Sequence, residues 1–220
     1  AEACRVLEVP VVSGNVSLYN ESRGQAIFPT PVVGGLGLLE DASKATRSAF
    51  AAEGLVVGLL GADTSKVESH DLAGSEYLQW VHGRVEGSPR IDIDLEKRVH
   101  QVCRSAIEQG LLASAHDCSE GGLAVALAEC SIQGDVGFVG DFSIADRWDV
   151  ILFGEQQSRI IVSLPKEHWD ALSRLASSFA VPIVRLGYTG GDRFQLNDQM
   201  DLPVSQIADV WNNGLEAASG

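Results

Sequence analysis

A short polar stretch near the start of the chain has residue types that suit phosphate and a divalent cation. It follows an apolar run and reads Ser13-Gly14-Asn15-Val16-Ser17. A glycine among small polar residues exposes backbone N–H groups beside hydroxyl and amide oxygens, and Mg²⁺ accepts a neutral amide oxygen next to phosphate oxygens. The alternative is an ordinary turn, in which the Asn and Ser side chains make local hydrogen bonds.

A second polar stretch, residues 116–122, leads into an apolar pattern of helical period and ends in two glycines. We predict that Ser119 caps this helix. The free N–H groups and the dipole of a glycine-rich helix start can bind an anion. Asp117 and Glu120 disfavour a bare phosphate there unless a cation or a partner arginine intervenes. The alternative is a capped helix whose glycines allow close packing on a sheet.

A third polar stretch, residues 153–159, precedes a predicted strand and contains Glu155-Gln156-Gln157. Its carboxylate and amide groups could hydrogen-bond a ribose or an amide. The alternative is a structural ion pair between Glu155 and Arg159. Four histidines lack the spacing that metal binding or general-base chemistry needs, and we interpret them as surface or boundary residues. These are His70, His82, His100 and His168.

The elements that position these stretches differ between the start of the chain and the rest. Two apolar runs, residues 5–12 and 32–39, are predicted as strands with a polar loop between them. Three glycines in the second run indicate a bulge or a close backbone approach. Two strands and a loop cannot bury both their faces. We therefore expect residues 1–45 to be the edge of a domain whose remainder is absent.

From residue 46 onward, strand and helix patterns alternate more fully. Asp94 is a plausible N-cap of one helix, and Gly110 stands where a glycine ends it. The other predicted strands are at 55–60, 159–164 and 183–186. The other predicted helices span 165–179 and 205–215, and a further one starts at 119. This mixture predicts an α/β or α+β layered domain.

Composition excludes several classes of protein. The 220 residues carry 16 Lys and Arg against 30 Asp and Glu, a net charge of −14. No basic stripe is present for nucleic acid, and an acidic chain is poorly suited to an anionic membrane surface. No signal peptide or transmembrane segment is visible, and four cysteines without paired spacing indicate reduced thiols. We expect a cytoplasmic location. Because the only methionine is Met200, we consider two alternatives: an initiator methionine removed before Ala1, or a chain that is a piece of something longer.

Together the three stretches resemble the phosphoribosylformylglycinamidine synthase family of purine synthesis. The likeness rests on residues 11–21 with Pro29-Thr30-Pro31, on residues 116–123, and on residues 152–159, in the family's order. It covers only about the last third of the family's synthase subunit. The resemblance implies an α+β three-layer sandwich with a mixed sheet at 46–220, like the C-terminal domain of aminoimidazole ribonucleotide synthetase. It implies that residues 1–45 are the end of a partial α/β nucleotide-binding domain.

The resemblance also implies a reaction. ATP phosphorylates the formyl amide oxygen of formylglycinamide ribonucleotide, and ammonia from a glutaminase partner or domain then displaces phosphate. By matching positions, Gly14 would contact ATP, Asn15 would hold Mg²⁺ and Ser17 would touch the ribonucleotide. The family's catalytic base and most of its Mg²⁺-binding carboxylates lie in upstream domains. We therefore expect no synthase activity from this chain alone.

One departure from the family pattern and two alternative interpretations remain. The family's preceding domain binds substrate with a Glu-Ser-Gln stretch, whereas this chain has Glu155-Gln156-Gln157, which we assign to a second, vestigial cleft and not to catalysis. The alternatives are another aminoimidazole ribonucleotide synthetase-like enzyme, or a non-catalytic nucleotide-binding or assembly module acting through the helix start at 119–122. We also expect the uncovered apolar runs at 9–12 and 32–39 to promote self-association.

Overall fold

A computed structural model describes residues 2–15, 20–27, 30–66, 68, 70–145 and 147–219, with side chains described as far as residue 214. The chain divides into two compact units, Ala1–Ala45 and Thr46–Gly220. In the described residues, no helix is both long enough and apolar enough to span a bilayer.

The first unit contains little regular structure. Its elements are a helix α1 (Glu2–Val6), a hairpin of β1 (Glu21–Ser22) and β2 (Gln25–Ala26), and a 3₁₀ turn at Ala42–Lys44. The predicted strands at 5–12 and 32–39 are wrong: the first run begins as the end of α1, and the second has no regular secondary structure. The described residues of the unit do not cover either run, and Val12 is 90% exposed and Leu36 fully exposed.

The second unit is built around a seven-stranded sheet with helices between its strands. Its elements are β3 (Val56–Leu60), α2 (Glu76–His82), α3 (Ile93–Glu108), β4 (Ser114–Asp117), α4 (Gly122–Gly134), β5 (Phe138–Gly140), α5 (Trp148–Phe153), β6 (Ile160–Leu164), α6 (Trp169–Ser178), β7 (Ile183–Thr189), β8 (Arg193–Leu196), β9 (Met200–Pro203) and α7 (Val204–Ser219).

The sheet is mixed. Its strand order is β4-β6-β3-β7-β5-β8-β9, and all neighbours pair antiparallel except β5 and β8, which are parallel. β3 lies between β6 and β7, and all five of its residues are buried. Its continuous apolar sequence follows from this position, because both of its faces are covered.

Helices cover both faces of the sheet, which gives three layers. Val57 and Leu59 of β3 point into a core shared with α4 and α5, whereas Val56 and Leu60 point into a second core shared with α3 and α6. Gly58 lies on the second face, where a Cβ atom would stand 2.8 Å from the ring of Trp169. The prediction of an α+β fold with a mixed sheet is confirmed.

The longer elements lie close to their predicted positions, but two predicted helix caps are wrong. Asp92, not Asp94, begins α3, because its Oδ1 accepts hydrogen bonds from the N–H groups of Asp94 and Leu95, each at 3.0 Å. α4 begins after Gly121, which is left-handed with φ +79° and has no side-chain cap, so Ser119 does not cap it. Gly110, with φ +68°, follows α3 as predicted.

Candidate functional site

The first polar stretch is exposed. Gly14 and Asn15 lie on the surface of the Ala1–Ala45 unit, and a Cβ atom at Gly14 would meet nothing within 4 Å. Ser17 lies outside the described residues. Across the described ranges, no three His, Cys, Asp or Glu side chains are grouped so as to hold a metal ion. Asn15 thus offers one neutral oxygen, whereas Mg²⁺ demands near-octahedral coordination, so these residues alone do not form a magnesium site.

The second and third stretches meet through one carboxylate. Oε1 of Glu155 accepts hydrogen bonds from the backbone N–H of Gly121 at 2.9 Å and from the backbone N–H of Glu76 at 2.8 Å. Gly121 precedes α4 and Glu76 is the first residue of α2. A carboxylate at two helix starts is favourable, because helix N-termini carry unsatisfied N–H groups and a partial positive charge. Glu155 therefore joins α2 and α4 at their beginnings.

Close packing explains the two glycines before and at the start of α4. Gly122 has φ +74°, and a Cβ atom there would lie 2.5 Å from the carbonyl oxygen of Gly154. A Cβ atom at Gly121 would meet the side chain of Val125 at 2.5 Å. Close packing therefore explains both glycines. The N–H of Gly121, which could have bound an external anion, already donates to the chain's own Glu155.

The ion pair between Glu155 and Arg159, which the sequence left open as an alternative, is absent. Instead, Arg159 donates from Nε to the carbonyl oxygen of Gln156 at 3.1 Å and from Nη2 to that of Gly154. The part of the chain that the structure describes contains no carboxylate within 4 Å of this guanidinium. Glu155 binds the two helix starts instead, because each supplies a backbone N–H donor that has no partner within its own helix.

A cleft of about 510 Å³ opens beside this loop, at the ends of β3 and β6. At its wall Ser158 adopts φ +63° and donates from Oγ to Glu96 of α3 at 2.5 Å. Gly61, at φ +92°, lies so close to Ser158 that a Cβ atom would overlap its carbonyl oxygen. The charged and amide side chains that line the cleft are Asp63, Lys66, Glu68, His70, Asp71, Arg90, Asp92, Glu155, Gln156, Gln157 and Arg159.

Burial and hydrogen bonding shift pKa values around the cleft. Hydrogen bonds from Ser65, and then from Lys66, lower the pKa of Asp63 to about 2. Burial lowers the pKa of Arg159, against the opposing influence of Cys118, Asp71 and Glu155. Arginine stays protonated even so, and the structure therefore carries a cation that is only 4% exposed.

Sequence reasoning missed several residues of this cleft. Asp71 and Arg90 lie in irregular loops, where no periodicity marks them. Glu76 could have been found, because Ser75 precedes it as a helix cap and the Ser75 hydroxyl accepts a hydrogen bond from the N–H of Leu78 at 3.4 Å. The stacking of Tyr77 on Phe153, with ring centroids 5.1 Å apart, then holds α2 beside the loop.

Fold and site define a class: a three-layer α+β domain whose mixed sheet ends in a polar cleft walled by the loop before β6. Residues 52–198 match the family described as AIR synthase related protein, C-terminal domain. The chain belongs to that family.

Curated relatives extend the similarity over nearly the whole chain. Phosphoribosylformylglycinamidine synthase subunit PurL of Anaeromyxobacter sp. (strain Fw109-5) is 45% identical over 227 residues, which cover 98% of this chain and 29% of that protein. The same subunit of Thermomicrobium roseum is 46% identical over 220 residues, with the same coverage. The chain thus spans 29% of the length of these relatives.

Solved structures share the fold at low sequence identity. Thermotoga maritima PurL complexed with FGAR aligns with a TM-score of 0.63 and 19% identity, over 76% of this chain and 30% of that chain. A thiamine-monophosphate kinase from Stenotrophomonas maltophilia aligns with a TM-score of 0.50 and 21% identity, over 70% of this chain and 53% of the kinase. These likenesses support the fold alone.

Proposed function

We propose that this chain is part of an ATP-dependent amidating ligase of purine biosynthesis. The ligase converts formylglycinamide ribonucleotide, ammonia and ATP to formylglycinamidine ribonucleotide, ADP and phosphate. The observation that carries the proposal is identity of 44–46% to several PurL subunits over 98% of the chain. Identity of this extent reaches beyond the matched domain into residues 1–45, where the first polar stretch lies.

In this proposal the first unit is the end of a nucleotide-binding domain and supplies the active-site residues. Gly14 approaches ATP through its backbone, Asn15 gives an amide oxygen to Mg²⁺, and Ser17 contacts the ribonucleotide. The open space around Gly14 supports a backbone approach by a ligand. Mg²⁺ would neutralise phosphate charge, and its remaining ligands would come from other domains of the complete protein.

The second unit has a supporting role in this reaction. Its three layers give a rigid frame, and Glu155 holds two helix starts at the cleft instead of acting on substrate. Ammonia would come from a glutaminase partner or domain. We also propose a cytoplasmic location. We propose that further domains of the complete protein cover the apolar residues of the first unit. Self-association of the isolated chain stays a prediction, which light scattering tests.

The experiment uses the complete protein that contains this chain, with formylglycinamide ribonucleotide, ammonia and ATP. We expect Asn15→Ala to lower kcat and to raise the Mg²⁺ concentration needed for half-maximal rate. The control is Asn213→Ala, which removes an exposed asparagine on α7 whose amide donates a hydrogen bond to Asp209. Equal rates and equal Mg²⁺ dependence in the two variants would refute the role of Asn15, and a complete protein that forms no amidine would refute the proposed activity.

A further inference from the structure

Arg159 is a buried cation with unused hydrogen-bond donors. Of its five N–H groups, two are engaged by the carbonyl oxygens of Gly154 and Gln156. Its side chain is 4% exposed and contributes to the wall of the 510 Å³ cleft. A guanidinium with remaining donors beside a cleft can bind an anionic oxygen, the partner that its planar donors fit best.

The acidic side chains of the cleft are already engaged elsewhere. Asp63 pairs with Lys66 at 2.9 Å, and Asp92 caps α3. Asp71 accepts the backbone N–H of Glu68 at 2.6 Å, and Glu155 holds two helix starts. Four of the five lining carboxylates thus accept hydrogen bonds or an ion pair from groups near them, and none of the four lies within 4 Å of the Arg159 guanidinium.

The fifth carboxylate, Glu68, is 71% exposed and lies 3.6 Å from His70. Among the described residues, Arg90 and Gln156 are two lining residues that keep all their side-chain donors free. Arg90 is exposed and has no ion pair within 4 Å, and the side-chain amide of Gln156 is half-buried without a hydrogen bond.

We propose that this cleft binds a small ligand with an anionic oxygen group, a phosphate or a carboxylate. Arg159 and Arg90 hold the anionic group, and the Gln156 amide bonds a neighbouring polar atom of the ligand. This site is separate from Gly14 and Asn15 and lies wholly within the Thr46–Gly220 unit. The proposed site does not include the start of α4, where the N–H of Gly121 already donates to Glu155.

The test is a titration of the ¹⁵N-labelled chain with inorganic phosphate and, separately, with acetate, followed by NMR. We expect saturable shifts at residues 61–63, 90–92 and 154–159 with a Kd of about 1 mM or tighter for one probe. Saturation by phosphate alone or by acetate alone identifies the anionic group, and either result supports the site.

Variants separate a binding role from a structural one. Arg90→Gln removes an exposed charge, so the fold should persist while the affinity falls about tenfold. Arg104→Gln makes the same change at an exposed position of α3 away from the cleft, and it should leave the affinity unchanged. Arg159→Lys keeps the charge but loses the planar fork, so it should also weaken binding.

Several outcomes would overturn the proposal. Shifts that do not saturate for either probe, or that spread over the surface, mean that Arg159 only shapes its own loop. The same conclusion follows if Arg90→Gln and Arg104→Gln bind equally well. Because the test needs no synthase reaction, its failure leaves the proposed ligase function unaffected.

Discussion

Glu155 offers the sharpest test of how the site region is held together. One carboxylate oxygen accepts the N–H of Glu76 at 2.8 Å and the N–H of Gly121 at 2.9 Å. Glu155→Ala leaves both helix starts without an acceptor. Glu155→Gln keeps a carbonyl oxygen that can accept the same bonds but removes the charge.

The magnitude follows from these two bonds. Hydrogen bonds to charged groups contribute about 1.5–3 kcal/mol each, and loss of a helix cap costs about 1 kcal/mol. Because Glu155 is half-buried, we expect Glu155→Ala to lower the free energy of unfolding by about 3 kcal/mol, a fall of roughly 6–12 °C in Tm for a domain of this size. Glu155→Gln should cost about 1 kcal/mol, the loss of charge at two helix starts.

The assay is urea unfolding followed by circular dichroism, combined with hydrogen exchange at the amides of Gly121 and Glu76. The matched control is Glu120→Ala, which removes an exposed neighbouring acid that caps neither helix. We expect this control to change stability by less than about 0.5 kcal/mol and to leave both amides protected. If Glu155→Ala and Glu120→Ala unfold at the same urea concentration with unchanged exchange, the carboxylate does not hold the helix starts.

Three further predictions concern backbone packing, pH and thiols. Gly122→Ala should destabilise by about 2–4 kcal/mol in urea, because its Cβ would press on the backbone oxygen of Gly154 at a left-handed φ; unchanged stability would contradict the packing. Asp63 has a folded pKa of about 2, below its unfolded value, so it stabilises above about pH 4, and this stability is lost as pH falls toward 2. The stability difference between wild type and Asp63→Asn should therefore vanish at low pH, and a constant difference from pH 7 to 2 would refute this. A thiol reagent at pH 8 should react quickly only with Cys4 in the folded chain, and with all four cysteines in urea; two or more fast thiols in the folded chain would be inconsistent with the burial. The buried thiols are Cys103 and Cys118, whose pKa burial raises to about 11, and Cys130, whose pKa burial also raises.

Long periodic segments could be predicted from sequence because their pattern reports burial directly. β3 is apolar at every position except Gly58 since it is covered on both faces, and α3 carries Val99, Val102 and Ala106 at helical spacing on its buried side. The short strands β5 and β8 were missed, because three or four residues are too few to establish a period. Residues 5–12 show the opposite error: despite their β-rich composition they form no strand, and the described residues of their unit offer them no partner strand.

The candidate site was predictable only in part. Residue types marked the loop at 153–159 as polar and the glycines at 121–122 as special. The Glu155–Arg159 ion pair that the sequence left open as an alternative does not form. Arg159 is four residues away from Glu155, whereas the backbone donors that Glu155 binds, Glu76 and Gly121, are 79 and 34 residues away. Sequence spacing favours local pairs, and only the folded chain reveals the distant donors.

The sequence by itself determined the family, the layered α+β class and the polar stretches, because these depend on residue types in order along the chain. Tertiary structure decided which donors each charged group meets. It placed the Glu155 carboxylate on two helix starts and left the Arg159 guanidinium buried beside an open cleft. The physical reason is that hydrogen bonds and desolvation depend on distances of a few ångströms between groups from separate elements, which only the packing of those elements sets.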